Sequence, residues 1–373
     1  MAVFAGPVCE MNIDAVSPEQ YSALLDEKAV ALRSQFALFT PPPLEIFASP
    51  ARHYRQRAEF RIWHDGDDLY YAMFAPGSNK TPIRIDSCSM VSERIEGVMF
   101  DLLERLKADT VLSRRLFQVD FLSTLSGELL VTLLYHRPLQ QDWLDAATVL
   151  QTDLNIDLVG RSRKQKLVLN RDWVLEKLAV EGRELSYQQV ENSFTQPNAD
   201  INIQMLGWAR DVTRDCGGDL LELYCGNGNF TLALSDQFDR VLATEIAKVS
   251  VNSAHYNLQL NGIDNVCIAR LSSQEFTEAM TKVRPFRRLR EIDLDSYNFT
   301  TVLVDPPRAG LDEGTLALVQ DYQFILYISC GPDTLARDLE TLIQTHRIER
   351  MALFDQFPYT EHKEAAVLLI RRS

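Results

Sequence analysis

The run Phe324-Ile325-Leu326-Tyr327-Ile328-Ser329 leads directly into Cys330-Gly331-Pro332-Asp333-Thr334-Leu335. An unbroken apolar run with β-branched and aromatic members reads as a strand buried on both faces. Gly331-Pro332 ends it. Proline near the first helical position gives up no needed amide hydrogen, so an amphipathic helix opens there. A strand feeding a helix through so short a step belongs to an α/β layer architecture. The step also sets a thiol against helix N-terminal amides. That setting is expected to lower the thiol pKa by roughly one and a half units, because helix-end stabilisation reaches about 2 kcal/mol.

Working outward from this strand, Leu220 to Tyr224, Val241 to Thr244, Val266 to Ala269 and Thr301 to Val304 read as further buried strands with helical patterns between them. That alternation predicts a doubly wound parallel sheet. Met351 to Phe354 and Ala365 to Ile370 lie close together, so a hairpin finishes the sheet and the last strand runs antiparallel. The first half reads differently. Residues 18–35 form an amphipathic helix, stopped by Pro41-Pro42-Pro43. Hairpins follow around Asp65-Gly66-Asp67 and Ser126-Gly127, with helices over Val91 to Lys107 and Trp143 to Leu154. This is an α+β pattern. The expected organisation is a helical segment and linker at 1–45, an α+β domain at 46–185 and the doubly wound domain at 186–373.

Composition narrows the class of protein. A chain of 373 residues, 46% hydrophobic and 24% charged, is long enough for two domains with a large core. No apolar run could span a bilayer. Met1 to Glu10 lack the basic start and apolar stretch of a signal peptide, so a cytoplasmic location is expected. The six cysteines, Cys9, Cys88, Cys216, Cys225, Cys267 and Cys330, show no paired metal or iron–sulfur spacing, so free thiols and no metal are expected. A net charge of −14 does not point to nucleic acid. Basic residues nonetheless cluster at Arg52, Arg55, Arg57 and Arg61, at Arg161, Arg163, Lys164 and Lys166, and at Lys282, Arg284, Arg287, Arg288 and Arg290. Each alone reads as a solvated face, although phosphate contacts are local and compatible with an acidic body.

Ligands of open α/β sheets bind beyond the carboxyl ends of the strands. Gly226-Asn227-Gly228-Asn229, Glu245, Asp305 and Cys330 all fall on that edge, and Glu364 joins them because its strand runs the other way. Glycines after the first strand let backbone approach a ligand, and an acidic residue some twenty positions on suits ribose hydroxyls. Thr231 stands where a dinucleotide fingerprint has its third glycine, which favours a nucleoside cofactor without pyrophosphate, such as S-adenosylmethionine. Seen alone, the glycine motif is equally a tight turn. Pro306 and Pro307 shape a rim rather than a helix start. Most cysteines are buried small hydrophobes, so Cys330 stands out by its placement. His362 alone reads as a surface histidine.

At these residues the chain resembles the RNA uracil-5-methyltransferases, most closely those acting on tRNA. The matching strings are ENSFTQPN from Glu191, LLELYCGNGNF from Leu220, VLATEIAK from Val241, VDPPRAGL from Val304, YISC from Tyr327 and LFDQFPYTEHKE from Leu353. YRQRAEFRIWHDGDDLY from Tyr54 and LFQVDFLSTLS from Leu116 extend the likeness to nearly the whole chain. It departs at Gly331, where the family usually has asparagine. The resemblance implies a C-terminal doubly wound class I methyltransferase (Rossmann-like) sheet with an N-terminal α+β RNA-binding domain. It implies methyl transfer from S-adenosylmethionine to carbon 5 of the T-loop uridine at position 54 of tRNA, with tmRNA as a further substrate. Cys330 would be the nucleophile and Glu364 the general base. Gln196, Tyr224, Asn229, Glu245 and Asp305 would contact the cofactor, and Arg61, Phe117 and His136 the RNA. A monomer is expected. Alternatives left open are a ribosomal-RNA uridine-5 enzyme, an RNA-folding protein with incidental methylation, and a nicotinamide oxidoreductase. Neither the second cysteine of cytosine-5 enzymes in the proline motif nor a clustered-cysteine site is present in the sequence.

Overall fold

The structure is a computed structural model that describes residues 16–74 and 81–372. The readings made on Cys9 and on Met1 to Glu10 lie outside the described residues. The chain divides into two compact units. The first comprises Pro50–Lys177 and Gln189–Ala199 with the described residues before Gln20. The second comprises Gln20–Ser49, Leu178–Gln188 and the chain from Asp200 onward.

The first unit is built on a seven-stranded mixed sheet. Its strands run in the order Pro82–Arg84, Asp68–Phe74, Arg57–Asp65, Leu116–Ser123, Leu129–Tyr135, Asp157–Ser162 and Gln165–Val168. Alternation along Arg57–Asp65 puts Ala58, Phe60 and Ile62 into the core, where the Phe60 ring meets those of Tyr71 and Phe121, and turns Glu59 and Arg61 outward. Ser92 caps that helix through a hydrogen bond from the Ile95 amide. The register between Leu116–Ser123 and Leu129–Tyr135 shifts between Leu116 and Gln118. Phe117 sits in this irregularity, which leaves it half-buried and free of the strict in–out alternation. Both expected hairpins form, over Arg57–Asp65 with Asp68–Phe74 and over Leu116–Ser123 with Leu129–Tyr135.

The second unit carries an eight-stranded sheet. From one edge to the other its strands are Glu45–Phe47, His346–Phe354, Glu364–Arg371, Phe324–Ser329, Phe299–Val304, Asp219–Leu223, Val241–Thr244 and Val266–Ala269. All pairings are parallel except the two made by Glu364–Arg371. The expected doubly wound sheet with an antiparallel final strand is therefore present. Two details differ from the sequence reading. His346–Phe354 begins earlier than Met351, and Glu45–Phe47 adds an edge strand too short to leave a period-two signal. The sheet core joins Leu221, Leu223, Val302, Val304, Ile325 and Tyr327 to Ala29, Leu32 and Phe36 of the helix Tyr21–Phe36 and to Leu335, Leu339 and Leu342 of the helix Pro332–Leu342. Burying the leucine, valine, isoleucine and phenylalanine side chains among these stabilises the unit by roughly 1.5–3 kcal/mol each before entropy is counted.

Candidate active site

Strand direction assembles the site in the second unit. Ser329 pairs with Ala365 in the antiparallel register, and one further step along both chains sets Cys330 opposite Glu364. Asp305 follows the neighbouring strand Phe299–Val304, and Pro306 and Pro307 leave that segment non-helical, as a rim. Cys330 is partly exposed and Glu364 buried. Pro332 occupies the first turn of the next helix, as expected.

The electrostatics of this cluster overturn one expectation. The Cys330 thiol is not lowered by the helix end but pushed up to about 12. Burial is the main cause; the charges of Glu364 and Asp305 add to it, and Arg308 and a backbone hydrogen bond oppose them. Helix-end partial charges cannot outweigh desolvation plus two facing carboxylates. Glu364 in turn is held well above the usual carboxylate range by burial and by Asp305, with Arg308 again the opposing cation. Asp305 is raised by its protein surroundings, although the residue keeps some solvent contact. Burial and facing charges thus raise the proton affinity of thiol and carboxyl alike. Arg308 received no role from the sequence beyond its place after Pro307. Its side chain also reaches His362, with Nη2 3.3 Å from Nδ1.

The chain just beyond the neighbouring strands carries Tyr224, Asn229 and Glu245, the residues expected around a nucleoside. Tyr224 leaves its strand in the left-handed region, φ 64°, and its hydroxyl donates to Ser273 at 2.6 Å. The strand therefore ends one residue earlier than expected. Gly228 adopts φ 88°, a conformation that strains any L side chain, and a Cβ there would also press on the Leu232 side chain at 2.8 Å. Gly226 faces open space, with nothing within 4 Å of a Cβ position. Glu245 closes the loop: its carboxylate accepts from the Gly226 amide at 3.1 Å and the Ala247 amide at 2.6 Å. Asn229 is fixed by a reciprocal amide pair with Asn202, 2.9 Å in each direction, a partner the sequence did not reveal. An open glycine ledge beside a carboxylate fits a nucleoside such as that of S-adenosylmethionine. Gln196 belongs to the other unit, in the segment Gln189–Ala199.

Within the first unit, the three residues expected at RNA come together on one face. Phe117 and His136 stack with ring centroids 3.9 Å apart and planes 8° from parallel. The Arg61 guanidinium lies over the Phe117 ring at 5.7 Å from its centroid. Arg61 and His136 are exposed. The basic clusters divide. Arg161 and Lys166 are committed to Glu191, which Arg161 grips with both carboxylate oxygens. Arg284 and Arg288 pair with Glu278 and Glu275, while Arg61 has no ion pair among the described residues.

The sheet order and the rim of loop, carboxylates and thiol define the class I methyltransferases of the doubly wound α/β type. The chain belongs to the tRNA (uracil-5-)-methyltransferase family, whose family model matches residues 20–372. It is 56% identical over 366 residues to the tRNA/tmRNA (uracil-C(5))-methyltransferase of Shewanella loihica, covering 97% of this chain and 100% of that one. It is 57% identical to the enzyme of the same name from Aeromonas hydrophila, covering 96% of each. Among solved structures it is similar to the Pyrococcus abyssi tRNA (uracil-54, C5)-methyltransferase in complex with S-adenosyl-L-homocysteine. That match has a TM-score of 0.71 at 20% identity, over 94% of this chain and 83% of that one, a likeness of fold. No helix among the described residues is long and apolar enough to cross a membrane, and none of their His, Cys, Asp and Glu clusters could hold a metal.

Proposed function

We propose that this chain transfers a methyl group from S-adenosylmethionine to carbon 5 of the T-loop uridine, position 54, of tRNA, and that it also accepts tmRNA. Family membership supports the reaction and its substrates. The observation that carries the mechanism is Cys330 set opposite Glu364 on the rim of the sheet. S-adenosylmethionine supplies an electrophilic methyl group. Tyr224, Asn229, Glu245 and Asp305, all in the second unit, would hold it.

Carbon 5 of uracil is a weak nucleophile. Cys330, which is partly exposed, gives up its proton to solvent as its sulfur bonds to carbon 6, and the ring electrons shift to make carbon 5 an enolate carbon. Once carbon 5 is methylated, the Glu364 carboxylate removes the hydrogen remaining there. The electron pair of that C–H bond restores the double bond between carbons 5 and 6, and sulfur leaves as thiolate. A carboxylate with raised proton affinity suits this acceptance. The target base must leave its stack to reach the rim, and Arg61, Phe117 and His136 offer the cation and stacking faces that unstacked nucleotides take. The chain acts as a monomer in the cytoplasm.

Incubation of the protein with unmodified tRNA and labelled S-adenosylmethionine, followed by nucleoside analysis, tests the proposal. The expected product is 5-methyluridine at one T-loop position. Label on cytidine, adenosine or a ribose overturns it.

A further inference from the structure

Residues 355–363 link the strand that ends at Phe354 to Glu364, and two side-chain ties hold this loop. Lys28, on the helix Tyr21–Phe36, is 6% exposed and its ammonium donates to Asp355 at 2.6 Å and to the Phe357 carbonyl at 2.8 Å. The same carbonyl accepts from the Thr360 hydroxyl at 2.8 Å, and that hydroxyl oxygen accepts the His362 amide at 3.2 Å. A continuous run of polar contacts thus leads from a buried cation to a point two residues before Glu364. The Tyr21 and Tyr359 rings meet at 5.8 Å, on the same helix and loop.

The other end of this helix reaches the thiol side. Gln35 donates to Asp333 at 2.7 Å, in the first turn of the helix that follows Cys330. Between these ends Ala29, Leu32 and Phe36 are fully buried, in one core with Leu335, Leu339 and Ala365. One rigid element therefore touches both segments that deliver the reacting pair.

We propose that the helix Tyr21–Phe36 is a brace that fixes the placement of Glu364 against Cys330, with Lys28 as the positioning residue on the Glu364 side. This rests on the reading of Glu364 as the group that takes the proton from carbon 5. Lys28 touches no reacting atom and works through the loop. Loosening the loop slows proton removal, the step after methyl transfer, while addition of Cys330 and methylation proceed. The signature is accumulation of a methylated covalent protein–RNA adduct.

Removing Lys28 alone strands a buried carboxylate, which is strongly destabilising, whereas replacing both partners of a buried pair by apolar residues is often neutral. The test therefore uses Lys28→Met/Asp355→Leu, with Thr360→Val as a milder second variant that keeps the ion pair and cuts the relay. Melting curves establish that each variant is folded. Turnover on tRNA and denaturant-resistant adduct on gels are then measured beside Glu364→Gln. The expected result is kcat reduced at least tenfold in the double variant and several-fold in Thr360→Val. KM values should stay within about twofold, and adduct should be visible in both. A folded pair of variants with unchanged kcat and no adduct, while Glu364→Gln accumulates it, overturns the brace. If Glu364→Gln itself turns over normally without adduct, the role of Glu364 falls first, and the brace with it.

Discussion

The thiol of Cys330 is expected to be unusually unreactive in the free enzyme, and site-resolved alkylation measures this. Wild-type protein is treated with iodoacetamide between pH 6.5 and 11, and the peptide carrying Cys330 is quantified by mass spectrometry. At pH 8 an ordinary thiol of pKa about 8.5 is roughly one quarter thiolate. With the proton held to about 12, the thiolate fraction at pH 8 falls to about 10⁻⁴, a drop of more than three orders of magnitude. A more basic thiolate attacks faster, with a Brønsted slope of about 0.4–0.5, which recovers about one and a half orders. The net expectation is alkylation slowed roughly 40- to 100-fold at pH 8 relative to the same peptide in urea. The logarithm of the rate should rise one unit per pH unit up to about pH 11. The causes are separable. Asp305→Asn and Glu364→Gln each remove a charge that raises the thiol and should speed alkylation; Arg308→Gln removes the opposing cation and should slow it. A plateau between pH 8 and 9 in the folded enzyme would refute the reasoning, because it would mean that helix-end stabilisation prevails over burial and the two carboxylates.

Other expectations concern RNA holding, the buried acid under the glycine loop and the first unit's core. Phe117→Ala or His136→Ala should raise KM for tRNA by roughly 5- to 150-fold, since base–aromatic stacking is worth about 1–3 kcal/mol; steady-state methylation kinetics at fixed salt would show it, and an unchanged KM would remove these rings from RNA binding. Glu222 is buried, accepts from the Thr231 hydroxyl at 2.6 Å, and is raised to about 8, chiefly by burial. Because its folded pKa exceeds the unfolded value of about 4.3, the stability gained from its protonation is fully present below about pH 4 and is lost as pH rises toward 8. Glu222→Gln should therefore flatten the fall in melting temperature across that window, and an unaltered pH profile would count against a buried ionising group. Gly160→Ala would drive a methyl into the Trp143 ring, and overpacking of this kind costs about 1–3 kcal/mol; an undiminished urea midpoint would mean that Trp143 yields freely.

Much of the catalytic rim was legible because it depends on strand direction, which alternating buried runs and short connections reveal. Asp305, Cys330 and Glu364 fall on one edge for that reason alone. The assignment of Arg61, Phe117 and His136 came from resemblance; their stacking depends on a register shift at Phe117 that no periodicity marks. The thiol pKa was misjudged because its causes act through space. The helix after Cys330 is adjacent in sequence, whereas Asp305 and Glu364 are brought beside it only by the fold. Lys28 and Asp355 lie 327 positions apart, and a lysine in an amphipathic helix gives no sign that it will be buried. Glu45–Phe47 is simply too short to announce a strand.

The antiparallel pairing of Phe324–Ser329 with Glu364–Arg371 makes the distance between sulfur and carboxylate a discrete quantity. Side chains on a strand alternate between faces, so sliding one partner by a single position would turn Glu364 to the far side of the sheet. The geometry has no gradual intermediate. Insertions in the connecting loop can be absorbed as slack, but one residue added within either strand should silence the enzyme completely.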